Sequence, residues 1–105
     1  MPGPLWRIRD RRSFRALRAD GARRRSGPLV VTALHDGAET DAPRVAFAIS
    51  RAVGPAVVRS RLRRQLRAHA RALDLPAGAY LVGVAPAAAG LSGHELRSHF
   101  EQAVR

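Results

Sequence analysis

Two hydrophobic periods divide this chain. Between residues 44 and 50, Val45, Phe47 and Ile49 alternate with Ala46 and Ala48, the period-2 pattern of a strand with one face packed. Leu29 to Leu34 is an apolar, partly β-branched run of strand length that begins after Gly27-Pro28. Ala79 to Ala85 is apolar at successive positions, which predicts a strand covered on both sides and suits a parallel place in a sheet. The polar segment His35 to Pro43 predicts a hairpin connection between the first two of these strands.

The other segments repeat at the helical spacing. Arg11 to Asp20 predicts a short helix, with Asp10 as N-cap, Gly21 just past its end, and Phe14 and Leu17 as its inward face. Pro55 to Leu73 predicts a longer one: at about 100° per residue, Val58, Leu62, Leu66, His69 and Leu73 share one arc. Ser92-Gly93-His94-Glu95 has the form of a capping box and opens a last helix with Leu96, Phe100 and Val104 inward. Arg23 to Ser26 is a loop or a very short strand. The expected architecture is a single α+β domain over residues 1–105, in the order α-β-β-(β)-α-β-α, with a central sheet on one side and helices on the other.

Charge changes the picture. The 105 residues carry a net charge of +11, and all 19 cationic side chains are arginine. Nine lie in residues 7–25 and seven in residues 51–71, while no acid occurs between Asp41 and Asp74. On the predicted second helix, Arg59, Arg63, Arg64, Arg67 and Arg71 fall beside the apolar arc, with Arg61 beyond them. Like charges at i,i+4 destabilise an isolated helix by roughly 0.2–0.5 kcal/mol per pair, so the row 59/63/67/71 implies a counter-charge from outside the chain. A solvated helix face interleaves both signs. The absence of cysteine excludes disulfide scaffolds, thiolate metal sites and cysteine nucleophiles. The uncharged stretch Leu81 to Leu91 is too short to span a bilayer, and the N-terminus lacks an apolar core of signal-peptide length. The expectation is a soluble cytoplasmic protein with a polyanionic partner and no membrane. A ribosomal or ribosome-assembly protein, a DNA compactor and a membrane-surface helix share that charge. The last is disfavoured because the apolar arc of 55–73 carries no Trp or Phe anchor.

The segment Ile49-Ser50-Arg51-Ala52-Val53-Gly54-Pro55-Ala56-Val57-Val58-Arg59-Ser60-Arg61-Leu62-Arg63-Arg64-Gln65-Leu66-Arg67 narrows this further. It resembles the signature of the bacterial ribonuclease P protein subunit: a strand ending in Ser and basic residues, a Gly-Asn-Ala-Val turn, then a helix opening Arg-Asn-Arg. Ser60 and Pro55 stand where that family has Asn, Ala46 where Gly is usual, Arg18 where a second aromatic is frequent, and Thr32 where Tyr is common. The last strand lacks a basic residue often found there. The rest of the chain matches in spacing and apolar pattern.

The resemblance implies an accessory subunit of an endoribonuclease, with no catalytic residue of its own. A large catalytic RNA cuts the 5′ leader from precursor tRNA, using Mg2+ held mainly by the RNA. It implies a left-handed βαβ crossover around the arginine helix, against the usual hand. It implies catalytic-RNA contact by Arg51, Arg59, Ser60, Arg61, Arg63, Arg64 and Arg67, and a leader cleft built from Arg11, Phe14, Arg15, Arg18, Val30 and Thr32. Phe47 reads as core. Trp6 is open between stacking on RNA and stapling the first helix, and Arg23 to Arg25 between reaching RNA and a solvated run. Guanidinium forks match phosphate oxygens bidentately. No obligate protein partner is implied. His35, His69, His94 and His99 are scattered, and neither a metal-ligand set nor a Ser/His/Asp set can be assembled from the sequence.

Overall fold

The computed structural model describes residues 6–35 and 42–105, with Trp6 described in its backbone alone, so its side-chain role lies outside the described residues. Strand β1 (Trp6–Arg7) precedes helix α1 (Arg11–Asp20), strands β2 (Ala22–Ser26), β3 (Leu29–Leu34) and β4 (Pro43–Ile49), helix α2 (Ala56–Ala72), strand β5 (Gly78–Val84) and helix α3 (Gly93–Val104). Short 3-10 turns lie at Arg51–Val53 and Pro86–Gly90.

The helix ends follow from local chemistry. The Asp10 carboxylate accepts hydrogen bonds from the Ser13 N–H at 3.0 Å and from the Ser13 hydroxyl at 2.9 Å, which holds it below the usual carboxylate range. Helix α2 starts one residue later than the spacing predicts, with Pro55 as its N-cap in extended conformation. At α3 the capping box is complete: the Glu95 N–H donates to Ser92 Oγ at 3.1 Å, and the Ser92 N–H donates to Glu95 Oε1 at 2.9 Å.

The five strands form one sheet in the order β1-β4-β5-β3-β2. Strand β5 runs parallel to β4 and antiparallel to β3, so β4, α2 and β5 form a crossover unit. This corrects the expected hairpin between β3 and β4. The two strands are not neighbours, because β5 lies between them; most of their connection, residues 36–41, lies outside the described residues. The reason is the composition of β5. Five of its seven residues are buried and the other two, Leu81 and Gly83, are half-buried, and a strand so covered belongs in the interior of a sheet with a partner on each edge. The tight hairpin is instead β2–β3, turned at Gly27-Pro28, where Gly27 has φ +55°.

Both parities of β3 and β5 are apolar, and both faces of the sheet are covered. On one face Leu29, Val31, Val45, Ile49, Tyr80, Val82 and Val84 pack against Leu62, Leu66 and Ala70 of α2 and Leu96, Phe100 and Ala103 of α3. On the other face Leu17 of α1 packs with Ile8 and Ala79, beside Phe14, Leu34, Ala46 and Leu81. The helices are therefore divided, two on one face and α1 on the other, rather than gathered on a single side. Each fully buried leucine of the larger core contributes about 1.5–3 kcal/mol. The Tyr80 hydroxyl reaches the Pro76 carbonyl oxygen at 2.7 Å, and burial raises its pKa.

Candidate nucleic-acid interface

The division of helices produces two arginine-bearing surfaces on opposite faces of one sheet. The first is α2. Burying Leu62, Leu66 and Ala70 turns the row Arg59, Arg63, Arg67 and Arg71 along one flank of the helix. Arg59 donates from Nε to the Gly54 carbonyl oxygen at 3.1 Å, which ties the row to the turn before the helix. Arg64 and Ser60 are exposed on the outer side, and Arg51 is exposed in the preceding 3-10 turn. Arg61 leaves by the opposite flank and donates to the Ala89 carbonyl oxygen at 2.9 Å. Among the described residues, none of Arg59, Arg61, Arg63, Arg64 and Arg67 is paired with an acid. Burial, then repulsion from Arg7, Arg71 and Arg63, lowers the Arg67 pKa below the usual guanidinium value. A guanidinium so placed stays charged at neutral pH. The flank therefore carries an uncompensated positive potential.

The second surface lies between α1 and the sheet. Antiparallel register sets Arg23 opposite Thr32 and Arg25 opposite Val30, and β3 in turn sets Thr32 opposite Leu81 and Val30 opposite Gly83. These side chains share the face that α1 partly covers. A cavity of about 260 Å³ is bounded by Leu17, Arg18, Arg23, Thr32 and Leu81. A wider one of about 610 Å³ continues past Arg23, Arg25, Val30 and Gly83 to the end of β5. Phe14 is half-buried against the small core beneath α1. Gly21 permits the close approach of the end of α1 to β3, since a Cβ there would lie 2.6 Å from Thr32 Cγ2, besides meeting the Leu17 carbonyl oxygen of α1 itself.

Of the residues expected at this cleft, Arg18 and Thr32 border the smaller cavity and Val30 the wider one, while Phe14, half-buried in the small core, and Arg11 and Arg15, exposed on α1, line neither. The sequence leaves Arg23 and Arg25 open between reaching RNA and a solvated run, and the structure places them. As members of an edge strand they alternate, so both turn to the cleft while Arg24 turns away. That odd-numbered parity, matched to Val30 and Thr32 by a two-residue turn, was the available signal. Phe47 is half-buried against the larger core, as expected of a packing residue. The turn bearing Arg25 is pinned from behind. Ser26 Oγ lies 3.0 Å from His99 Nδ1 and donates to Gln102 Oε1 at 2.9 Å, and the His99 ring sits where a Cβ on Gly27 would stand.

Among the described residues, no three His, Asp or Glu side chains converge as a metal-ligand set. No described helix is long and apolar enough to cross a membrane.

The chain is similar to known proteins over most of its length. The chain is 41% identical over 100 residues to the ribonuclease P protein component of a Nocardioides species, covering 91% of this chain and 86% of that one. It is 48% identical over 66 residues to the corresponding component of Thermobifida fusca, a match covering 60% of this chain and 45% of that relative. The fold superposes on the RNase P protein of Staphylococcus aureus with a TM-score of 0.83 at 20% identity, covering 93% of this chain and 91% of that one. Residues 4–105 match the family described as Ribonuclease P, and the chain belongs to that family as a ribonuclease P protein component.

Proposed function

We propose that this chain binds a catalytic RNA through α2 and holds the single-stranded 5′ leader of precursor tRNA in the cleft beneath α1, on the opposite face of the sheet. The observation that carries the reading is the placement of two arginine groups on opposite faces, one along a helix flank and one at the rim of a groove, with no acid paired to either among the described residues. A helix presenting Arg59, Ser60, Arg63, Arg64 and Arg67, flanked by Arg51, suits the closely spaced phosphates of a folded RNA. A groove floored by Val30, Thr32 and Leu81 and rimmed by Arg18, Arg23 and Arg25 suits an unpaired strand. Phe14 supplies an aromatic edge, and Arg11 and Arg15 steer the strand from the exposed side of α1. Arg61 contributes to the RNA surface from its own flank, where the Ala89 carbonyl orients it.

In this reading bond cleavage belongs to RNA and its Mg2+. This chain's residues bind, orient and neutralise charge. The test is 5′-leader cleavage of a precursor tRNA by ribonuclease P RNA at low Mg2+, with and without the protein. Strong stimulation with no cutting by protein alone is expected. Tight RNA binding without stimulation would overturn the reading in favour of a ribosome-assembly role.

A further inference from the structure

The edge of the sheet nearest α2 holds a third feature. Strand β1 pairs with β4 in parallel, with Arg7 opposite Val45 and the Ile8 N–H donating to the Val45 carbonyl oxygen at 3.2 Å. That register turns Arg7 to the face on which α2 packs, toward the helix's arginine flank. A cavity of about 400 Å³ results, with Arg7, Arg63 and Arg67 around it and Val45 and Phe47 in its floor. Three guanidinium groups from two separate elements thus border one small concavity, and among the described residues no acid pairs with any of them. Like charges held together at a partly buried place lose energy by mutual repulsion. Burial first, and then repulsion from its charged neighbours with Arg7 foremost, lowers the Arg67 pKa.

We propose that Arg7, Arg63 and Arg67 form a clamp for one backbone phosphodiester of an unstacked nucleotide, whose ribose or base lies on the Val45–Phe47 floor. This rests on the reading that α2 binds RNA and adds to it a discrete subsite that needs β1. Planar forks converging from two directions can engage both non-bridging oxygens of one phosphate. The volume is within the range of small-ligand sites. A duplex, whose bases are stacked inside, would leave the apolar floor unused.

The test is a double-mutant cycle on affinity of the full chain for ribonuclease P RNA, with Arg7→Gln, Arg67→Gln, the double variant, and Arg64→Gln on the exposed side of α2. Arg7→Gln is expected to weaken binding about tenfold at 0.1 M salt and to flatten the salt dependence by roughly one phosphate contact. The double variant should lose less than the product of the single losses, because both side chains grip the same phosphate. Without RNA, Arg7→Gln should melt at the same or a higher temperature, since it relieves repulsion; a merely structural Arg7 would melt lower. If Arg64→Gln and Arg67→Gln weaken binding while Arg7→Gln does not, the clamp is wrong and the helix reading survives. If no α2 variant weakens binding, the helix reading itself fails.

Discussion

The Arg61 guanidinium donates a 2.9 Å hydrogen bond to the Ala89 carbonyl oxygen, fixing α2 against the 3-10 turn that follows β5. Arg61 is half-buried, whereas Arg64, one turn further along, is exposed. Arg61→Ala should therefore lower stability by about 1–2 kcal/mol, the usual loss when a bonded carbonyl is left without its charged donor. Arg64→Ala should stay within about 0.5 kcal/mol. Denaturant titration of the two variants separates them; equal midpoints would mean that the Ala89 contact adds nothing.

Binding to the catalytic RNA should be dominated by counterion release. If about five arginines of α2 each neutralise one phosphate, log K falls against log salt with a slope of roughly −3.5 to −4.5. A filter-binding series from low to moderate salt measures it. A slope near zero would contradict an arginine-borne interface.

Phe14 and the α2 arginines occupy opposite faces and should give different phenotypes. Phe14→Ala should reduce the preference for precursor over mature tRNA, with a loss of about 1–3 kcal/mol if the ring stacks on a leader base. Affinity for the catalytic RNA should barely change. Arg59→Ala should show the reverse. One shared phenotype would mean that the two faces act as one surface.

Gly21→Ala tests how α1 is seated. The added Cβ would meet the Leu17 carbonyl oxygen at 2.4 Å and Thr32 Cγ2 at 2.6 Å, and the first of these is backbone that cannot rotate away. Overpacking of this kind costs about 1–3 kcal/mol. Thermal unfolding should show the loss, together with weaker discrimination of the leader as α1 shifts from the cleft. An unchanged melting temperature would show that α1 is free to move.

His69 should make stability depend on pH. Burial, with a further push from Arg97, lowers its pKa, against a Gly93 backbone hydrogen bond that acts in the opposite direction. A histidine depressed in the folded state is held neutral there, so its contribution is full above the unfolded value of about 6.5. It is lost as pH falls through the folded value. Melting temperature should therefore decline from pH 7 towards pH 5, and His69→Gln should flatten that part of the curve. Asp10 and Glu95 are both held below the usual carboxylate range by their capping hydrogen bonds, so they contribute above that range and lose it only at more acidic pH.

The local elements were largely legible in the sequence because their signals are local. Asp10 with Ser13, and Ser92 with Glu95, place helix starts through hydrogen bonds that span three residues. The alternation of Val45, Phe47 and Ile49 identifies β4, and the spacing of Val58, Leu62 and Leu66 separates the packed side of α2 from its arginines. The run Arg23-Arg24-Arg25 gave no apolar alternation, so its strand character depended on pairing with β3. Arg7 gave no signal at all, because its neighbours Arg63 and Arg67 are more than fifty positions away.

The sequence alone determined the order of the three helices and of β3, β4 and β5 and the arginine flank of α2, and from these the expectation of an anionic partner, since each follows from residue spacing and charge. Only the tertiary structure decided that β5 lies between β3 and β4, that α1 covers the face opposite α2 and α3, and that Arg23 and Arg25 join Arg18 at one groove. A strand apolar at both parities requires cover on two faces without specifying which helix supplies each. That choice is made by the packing of the whole sheet, and it turns one basic chain into a protein with two separate arginine surfaces.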